Sequence, residues 1–311
     1  MILFAFPEYA YMERELTALP GIRIGHCCLD RFPNQELHAN IQTGVAIEEC
    51  LILGTIAPPD EQLLSTLLLS HTLKKEGAHR IIALLPYLAY ARDEKQKAGE
   101  SLATAWVGAL LQASGVDEVI TVDVHSAAVQ ERFPMQLVSL SPADLFAQEL
   151  ARLSLLNATI VAPDEGARER CQAVSRAAGL TGEVVVFKKR RTRDGVVHVN
   201  ISGNVGQQAV IVDDILDTGG TLVSCCEQLR QRGVQDITIL VTHGLFTGDL
   251  WRKLWSLGVQ HIYCTDTLPQ PPERTSGNVE TLSVLPLLYE YLKARLEARS
   301  SVGNIKELRE H

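Results

Sequence analysis

The chain has 311 residues, which corresponds to about two domains of ordinary size. Hydrophobic residues make up 46% of it and charged residues 21%, so intrinsic disorder, collagen and coiled coil are excluded for the chain as a whole. The 29 basic and 37 acidic residues give a net charge of −8, which, with only 5% aromatic residues, disfavours binding to nucleic acid or an anionic membrane.

The cysteines and the apolar runs of the sequence indicate in which cellular compartment the protein is expected. The seven cysteines are odd in number and none is spaced as Cys-x-x-Cys, which argues against a disulfide framework or a zinc ribbon. The opening apolar run, Met1 to Phe6, is too short for a signal peptide, and no later stretch holds 18 uncharged apolar residues. We therefore expect a cytoplasmic protein with reduced thiols and no membrane segment.

Short β-branched runs alternate with amphipathic stretches along the chain. In the first half the pattern predicts helices at 60–76 and 101–113 and strands at 80–85 and 118–124. In the second half it predicts strands at 157–162, 208–213, 236–242 and 261–265, the last of the series. The helices between them are predicted at 166–179, 219–232 and 249–257. Strands joined by crossover helices predict right-handed βαβ units and mostly parallel sheets covered on both faces.

The run from Ser139 to Asp144 interrupts this alternation. It predicts a new helix with Ser141 as its N-cap and Pro142 at its first position. We place a domain boundary near residue 145. This gives two α/β domains, 1–145 and 146–293, and a charged tail at 294–311 that is expected to form a helix.

The segment from Val210 to Thr221 carries the strongest chemical signal. A β-branched run leads to Asp213 and Asp214 at the carboxyl end of a predicted strand, where open α/β sheets bind ligands. The glycines of the following turn allow backbone N–H groups to close around an anion at a helix N-terminus. The turn consists of Asp217, Thr218, Gly219, Gly220 and Thr221. Because the carboxylates suit vicinal hydroxyls, the segment predicts a sugar phosphate site, with an acidic helix-capping turn as the simpler alternative.

Two further features have both structural and functional interpretations. Residues 188–193 hold five cations in six positions before the turn signal Asp194-Gly195. They could form a solvated hairpin, a nucleic-acid patch or a clamp on a polyphosphate, and the negative net charge favours the clamp. His125 and Asp164 each follow a predicted strand, where either could contact a metal ion or an anion.

Several blocks of the sequence resemble the ribose-phosphate diphosphokinases, the phosphoribosyl pyrophosphate synthetases. Residues 210–221 are similar to the phosphoribosyl pyrophosphate motif, which type I phosphoribosyltransferases share. Other blocks in family order favour the synthetases: Arg31–Glu36, Pro86–Arg92, Val122–Ser126, Ala162–Asp164, Lys189–Arg191, Thr242–Phe246 and Thr265–Pro269. Together they cover most of both predicted domains.

The resemblance implies two tandem phosphoribosyltransferase-like domains, each a mostly parallel sheet flanked by helices. It implies Mg²⁺-dependent transfer of diphosphate from ATP to ribose 5-phosphate, with release of AMP, in a homo-oligomer of two or more subunits. Lys189 and Arg191 would stabilise the transferring group, and His125 and Asp164 would help to place the metal. ATP would be bound by Phe32, Asn34, Glu36, Arg92 and Asp93, the first three from a neighbouring subunit. Ribose 5-phosphate would be bound by Asp213, Asp214 and residues 217–221.

The departures from the family pattern concern the nucleotide half. Asn34-Gln35-Glu36 stands where the family has Asp-Gly-Glu, and Asp93 follows Arg92 where it has Gln. The basic regulatory stretch is shortened to 96–100, as in archaeal-type members. Two alternatives are therefore kept: a phosphoribosyltransferase, which the duplicated domain disfavours, and a catalytically weak regulatory subunit.

Overall fold

The structure is a computed structural model that describes residues 1–92, 99–192, 195–269 and 278–307. For 189–192, 195–202 and 300–307 it describes the backbone alone. The chain divides into two compact units. The first unit comprises Met1–Leu140 and Val284–His311, and the second unit comprises Ser141–Ser283. The second unit thus begins near the boundary expected at 145, and the expected tail is grouped with the first unit.

The first unit is built on a parallel sheet with an attached hairpin. Its strands are β1 (Ile2–Ala5), β2 (Arg23–Ile24), β3 (Cys27–Arg31), β4 (Leu37–Ile41), β5 (Glu49–Leu53), β6 (Arg80–Leu84), β7 (Glu118–Val122) and β8 (Gln136–Leu140). Six of them pair in the order β2-β1-β5-β6-β7-β8, while β3 and β4 form a separate antiparallel hairpin. The helices between the strands are α1 (Ala10–Leu16), α2 (Glu61–Lys75), α3 (Ala103–Ala113) and α4 (Ala127–Arg132).

The second unit is built on a seven-stranded sheet. Its strands are β9 (Thr159–Ala162), β10 (Val185–Thr192), β11 (Gly195–Ser202), β12 (Gln208–Leu216), β13 (Asp236–Gly244), β14 (Val259–Thr265) and β15 (Val279–Leu282). Their order is β11-β10-β9-β12-β13-β14-β15, and every pair is parallel except β10 with β11. The helices are α5 (Ala143–Arg152), α6 (Arg168–Ala177) and α7 (Gly220–Gln231). Two parallel sheets flanked by helices confirm the predicted fold class.

Alternation along β12 determines which helix each side chain faces. Val210 and Val212 pack into the cluster that contains α6, and Ile211 packs into the cluster that contains α7. Successive strand residues point to opposite faces of a sheet. The row that faces α6 leads to Asp214, whose Oδ2 lies 3.9 Å from Nη2 of Arg170 on α6.

The segment expected as a charged tail belongs to a long helix, α8 (Leu285–Glu307), that completes the first unit. Arg295 donates two hydrogen bonds of 2.7 Å to Glu118, and Arg80 donates a third of 2.8 Å. Arg299 pairs in the same way with Glu49. Burial alone would raise the pKa of the fully buried Glu118 carboxyl, but the hydrogen bonds from Arg295 and Arg80 outweigh burial and hold that pKa below its usual value.

Some predicted boundaries are wrong. β14 is not the last strand, because β15 pairs parallel with it. β12 continues to Leu216 instead of ending at 213. The helix predicted at 249–257 is present as a 3₁₀ helix, Leu250–Leu257. α5 begins at Ala143, after Pro142, although the Ala143 N–H still donates to Ser141 Oγ at 3.3 Å, as an N-cap at Ser141 predicts.

The cysteines and helices also bear on the compositional expectations. All seven cysteines fall within the described residues, and none of them forms a disulfide. Cys27 and Cys28 are half-buried and the others are buried. In the part of the chain that the structure describes, no helix combines the length and the apolar character needed to cross a membrane.

Candidate active site

Two adjacent carboxylates near the end of β12 form the centre of the site. Asp213 and Asp214 are only 8% and 6% exposed. The Asp214 N–H donates to Asp213 Oδ1 at 3.0 Å, and Arg170 Nη2 on α6 lies 3.9 Å from Asp214 Oδ2. Burial raises the pKa of Asp213 well above its usual value, the Asp214 carboxylate raises it further, and the Arg170 guanidinium opposes both. Two carboxylates held together with one cation concentrate negative charge that a ligand can offset.

Asp164 brings a third carboxylate to the same edge of the sheet. It follows β9, which pairs directly with β12 through Val161 and Ile211. Its Oδ1 accepts a hydrogen bond of 3.1 Å from the Ala167 N–H and caps the 3₁₀ turn Glu165–Ala167. Asp164 also raises the pKa of Asp213, which shows that the two carboxylates influence each other. The structure thus brings together three of the predicted site residues.

Arg170 is a site residue that the sequence analysis missed. It lies in the first turn of α6, where cations interact unfavourably with the helix dipole. Its side chain is 10% exposed, and an arginine is rarely so buried unless it is paired. An arginine at an electrostatically unfavourable helix position, directly after the strand-end Asp164, is the signal that could have identified it.

The turn after β12 offers backbone donors at the start of α7. The Val223 N–H donates to the Gly219 carbonyl at 2.8 Å, which is the first helical bond. The N–H groups of residues 220–222 are therefore not used within the helix. The Thr247 N–H fixes the other side of the turn by donating to the Asp217 carbonyl at 3.1 Å. Such a row of amides at a helix N-terminus is suited to a phosphate.

Gly219 is required for a reason that the sequence analysis did not foresee. Its φ is +85°, a left-handed conformation that favours glycine. A Cβ at this position would lie 2.7 Å from Trp251 Cβ and 2.8 Å from Trp251 Cα. The turn therefore approaches Trp251 closely, and the role of Gly219 in phosphate binding stays a prediction. Gly220 has no such restriction, since its Cβ would meet only Leu250 Cδ2 at 3.8 Å.

The basic segment forms part of the predicted hairpin. β10 and β11 pair antiparallel, with Lys189 opposite His198 and Arg191 opposite Val196. A register shift between Lys188 and Lys189 marks a bulge. The side chains of 189–202 and the turn 193–194 lie outside the described residues, so the catalytic roles of Lys189 and Arg191 stay predictions.

The nucleotide-binding candidates of the first unit lie partly at the tip of the β3–β4 hairpin. Phe32 is 47% exposed, and its ring centroid lies 4.8 Å from that of His38. Asn34 Oδ1 accepts from the Glu36 N–H at 3.2 Å, within the turn that joins the strands. Gln35 has a φ of +72°, a left-handed conformation that favours glycine.

The other candidates of the first unit follow its central strands. Arg92 is exposed and lies beyond the end of β6, while Asp93 and the shortened stretch up to residue 98 lie outside the described residues. His125 is exposed between β7 and α4. The buried Ser126 Oγ beside it has no hydrogen-bond partner among the described residues. An orphaned hydroxyl of this kind fits a place where a ligand binds.

The donor set fits magnesium if the ligand supplies part of the coordination. Among the described residues, no group of three or more His, Cys, Asp or Glu side chains is arranged to hold a metal ion by itself. Asp164, Asp213 and Asp214 nevertheless offer oxygen donors on neighbouring strands. Mg²⁺ is commonly held by one or two carboxylates together with substrate phosphates and water.

Comparison with known proteins identifies the family. The model of the N-terminal domain of ribose phosphate pyrophosphokinase matches residues 1–115, and that of the phosphoribosyl synthetase-associated domain matches residues 181–305. The chain is 30% identical to ribose-phosphate pyrophosphokinase of Campylobacter jejuni over 302 residues, covering 96% of this chain and 95% of the relative. It is 33% identical to that of Methanothermobacter thermautotrophicus over 266 residues, covering 85% of this chain and 90% of the relative.

A solved structure shows the same fold. The crystal structure of phosphoribosylpyrophosphate synthetase from Mycobacterium smegmatis superposes with a TM-score of 0.83 at 24% identity, covering 96% of this chain and 99% of that one. The chain therefore belongs to the ribose-phosphate pyrophosphokinase family of enzymes.

Proposed function

We propose that the chain transfers the diphosphoryl group of ATP to the anomeric hydroxyl of ribose 5-phosphate, with Mg²⁺, and releases AMP. The observation that carries the proposal is the continuity of β12, the turn and α7. This single segment presents two buried carboxylates and then, within a few residues, the backbone N–H groups of a helix N-terminus. A ligand with hydroxyls at one end and a phosphate at the other matches that order.

Each part of the sugar phosphate has a suitable partner. The 5-phosphate binds the N–H groups at the start of α7 and the hydroxyls of Thr218 and Thr221. The ribose hydroxyls donate to Asp213 and Asp214, whose charge they partly offset. Arg170 holds Asp214 from the α6 side, so the carboxylate keeps its orientation when the site is empty of sugar.

The chemical step requires positioning and charge stabilisation. The anomeric oxygen attacks the β-phosphorus of ATP, the bond from that phosphorus to the α,β-bridging oxygen breaks, and AMP leaves with that oxygen as the proton of the hydroxyl is released. Lys189 and Arg191 stabilise the charge on the transferring group. No protein general base is assigned. Asp164 and His125 are the residues that would help to hold Mg²⁺, which would supply neutralisation of phosphate charge.

The nucleotide is assigned to the first unit. Arg92 binds phosphate oxygens of ATP, a role suited to a guanidinium. Phe32, Asn34 and Glu36 bind the nucleotide of a neighbouring subunit, which makes the enzyme a homo-oligomer. The exposed ring of Phe32 at a hairpin tip supports this assignment, because an exposed aromatic side chain is suited to stacking on a base.

The reaction is tested by incubating the protein with ATP, Mg²⁺ and ribose 5-phosphate and measuring all nucleotides. We expect AMP and phosphoribosyl pyrophosphate in equal amounts. Formation of ADP, or absence of AMP, would contradict the proposal. If the protein binds ribose 5-phosphate but makes no AMP, it acts as the weak regulatory subunit. If it consumes phosphoribosyl pyrophosphate with a nucleobase, it is a transferase.

A pair of matched variants tests the sugar site. Asp214→Asn keeps the side-chain shape but removes the charge, and we expect the KM for ribose 5-phosphate to rise about tenfold or more, the effect of losing a charge-assisted hydrogen bond. Asp249→Asn makes the same change at a carboxylate that is 89% exposed in the same unit. It should leave the KM for ribose 5-phosphate and the KM for ATP unchanged. Equal KM values for ribose 5-phosphate in the two variants would refute the placement of ribose at β12.

A further inference from the structure

The second unit also has a concave surface that is lined by α6. It is a cleft of about 670 Å³ between α6 and the segment that leads into β10, and we call it the α6 cleft. One wall consists of Arg168, Gln172 and Arg176, and the other includes Glu183 and Lys188. The three α6 residues are spaced four apart, so they lie on one face of the helix.

The cations of the α6 cleft differ in whether their side chains already pair with a carboxylate. Arg168 donates to Glu165 at 2.5 Å and 3.0 Å, so its charge is already satisfied. Arg176 and Lys188 are both exposed. Within the described part of the chain, neither side chain has a hydrogen bond or an ion pair, although the Lys188 ammonium helps to lower the pKa of the Glu165 carboxyl. In a chain of net charge −8, two such cations facing one concavity indicate a place for an anion.

The size and polarity of the cleft limit the class of anion that can bind there. A guanidinium and an ammonium group together match a phosphate, the first as a planar donor and the second as a point charge. Glu183 would repel a bare polyanion but can accept hydrogen bonds from hydroxyl groups. The volume, about 670 Å³, is within the range of small-molecule sites and larger than one phosphate needs. We infer that the α6 cleft binds a hydroxyl-bearing phosphate monoester, such as a sugar phosphate or a nucleoside monophosphate.

Hydrogen–deuterium exchange with AMP as the probe tests this inference, because it locates binding along the chain. We expect AMP to slow exchange of peptides spanning 172–177 and 182–188 in the wild-type protein, since this choice leaves out Arg170 of the candidate active site. Adenosine, which lacks the phosphate, should leave these peptides unchanged. Protection elsewhere, including the turn 217–221, reports binding at the candidate active site and is scored separately, so the result does not depend on the proposed reaction.

Two arginine variants decide whether the cleft is responsible. Arg176→Ala removes a side chain at the end of α6 that has no partner among the described residues, so the fold should be unaffected. It should weaken AMP binding at the cleft peptides about tenfold or more. Arg232→Ala is the control, since Arg232 is an exposed arginine at the end of α7 in the same unit. It should keep the wild-type response.

Three outcomes would overturn the inference. The first is no AMP-dependent slowing at 172–177 and 182–188. The second is an equal response in Arg176→Ala and the wild-type protein. The third is equal protection by adenosine, which would mean that the phosphate is not recognised.

Discussion

Replacing Gly219 with alanine tests the close approach of the β12 turn to Trp251. The substitution adds one methyl group to a residue whose φ is +85°, and that methyl group would lie 2.7 Å from Trp251 Cβ and 2.8 Å from Trp251 Cα. One of these atoms belongs to the backbone, so a side-chain rotation cannot relieve the contact. Either the turn or the 3₁₀ helix that carries Trp251 must shift.

The expected cost has two parts. A left-handed conformation costs a residue with a Cβ about 1–2 kcal/mol, and forcing an extra methyl group into a packed site costs typically about 1–3 kcal/mol. We therefore expect Gly219→Ala to lower the free energy of unfolding of the second unit by about 2–5 kcal/mol. Ribose 5-phosphate affinity should fall as well, because the residues that shift carry the phosphate-binding N–H groups.

The variant Gly233→Ala separates the conformational cost from the cost of the contact with Trp251. Gly233 has nearly the same φ, +87°, but no atom lies within 4 Å of the added Cβ. It should therefore cost only the conformational part, about 1–2 kcal/mol. Gly220→Ala, whose added Cβ makes an ordinary contact at 3.8 Å, should cause no loss of stability.

The assay is urea unfolding followed by tryptophan fluorescence in a Trp106→Phe background. Trp106 is in the first unit and 52% exposed, whereas Trp251 and Trp255 are in the second unit, so the remaining signal reports the second unit. Equal losses of stability in Gly219→Ala and Gly233→Ala would show that the Trp251 contact contributes nothing and would refute the reasoning.

Three other predictions concern charged residues. Lys189→Ala should lower kcat by about 10²–10³-fold and leave the KM for ribose 5-phosphate nearly unchanged, because the Lys189 side chain stabilises the transition state. Steady-state kinetics that show a change in KM alone would contradict this prediction. Arg170→Ala should weaken ribose 5-phosphate binding about tenfold in calorimetry, with partial recovery in Arg170→Lys, because Asp214 loses its cation; unchanged affinity would assign Arg170 a purely structural role. Arg295→Ala should cost about 3–5 kcal/mol by leaving Glu118 buried with less compensation. Since the pKa of Glu118 is held below its usual value, its stabilisation is complete at neutral pH and is lost as the pH falls through that folded pKa. The variant should therefore acid-unfold at a higher pH than the wild-type protein by circular dichroism, whereas the exposed Lys293→Ala should not.

The parallel sheets were predictable because their strands are local signals. β12 and β13 each contain a run rich in β-branched residues, and the glycines and helical spacing that follow β12 mark the start of α7. The carboxylates at the end of β12 were predictable for the same reason. Their position in the sequence determines their position at the sheet edge.

Features that depend on distant residues were not predictable in this way. The β3–β4 hairpin is half-exposed, with Cys, Asp, His and Asn among its residues, so no alternation reveals it. β15 is a strand only because it pairs with β14, where Tyr263 donates to Glu280 at 3.1 Å. The contacts of Arg170 with Asp214 and of Gly219 with Trp251 likewise join residues from different elements, and no local pattern encodes them.

The assignment of α8 to the first unit has a consequence for biogenesis. In chain order the second unit is an insertion between β8 and α8, and Arg295 follows its partner Glu118 by 177 residues. At a synthesis rate of about 5–20 residues per second, Glu118 waits on the order of 10–30 s for that arginine to be made. Both ends of the second unit have been synthesised before Arg295 is made. On the ribosome the enclosed unit can therefore mature first, while the enclosing unit stays open at the edge that α8 later covers.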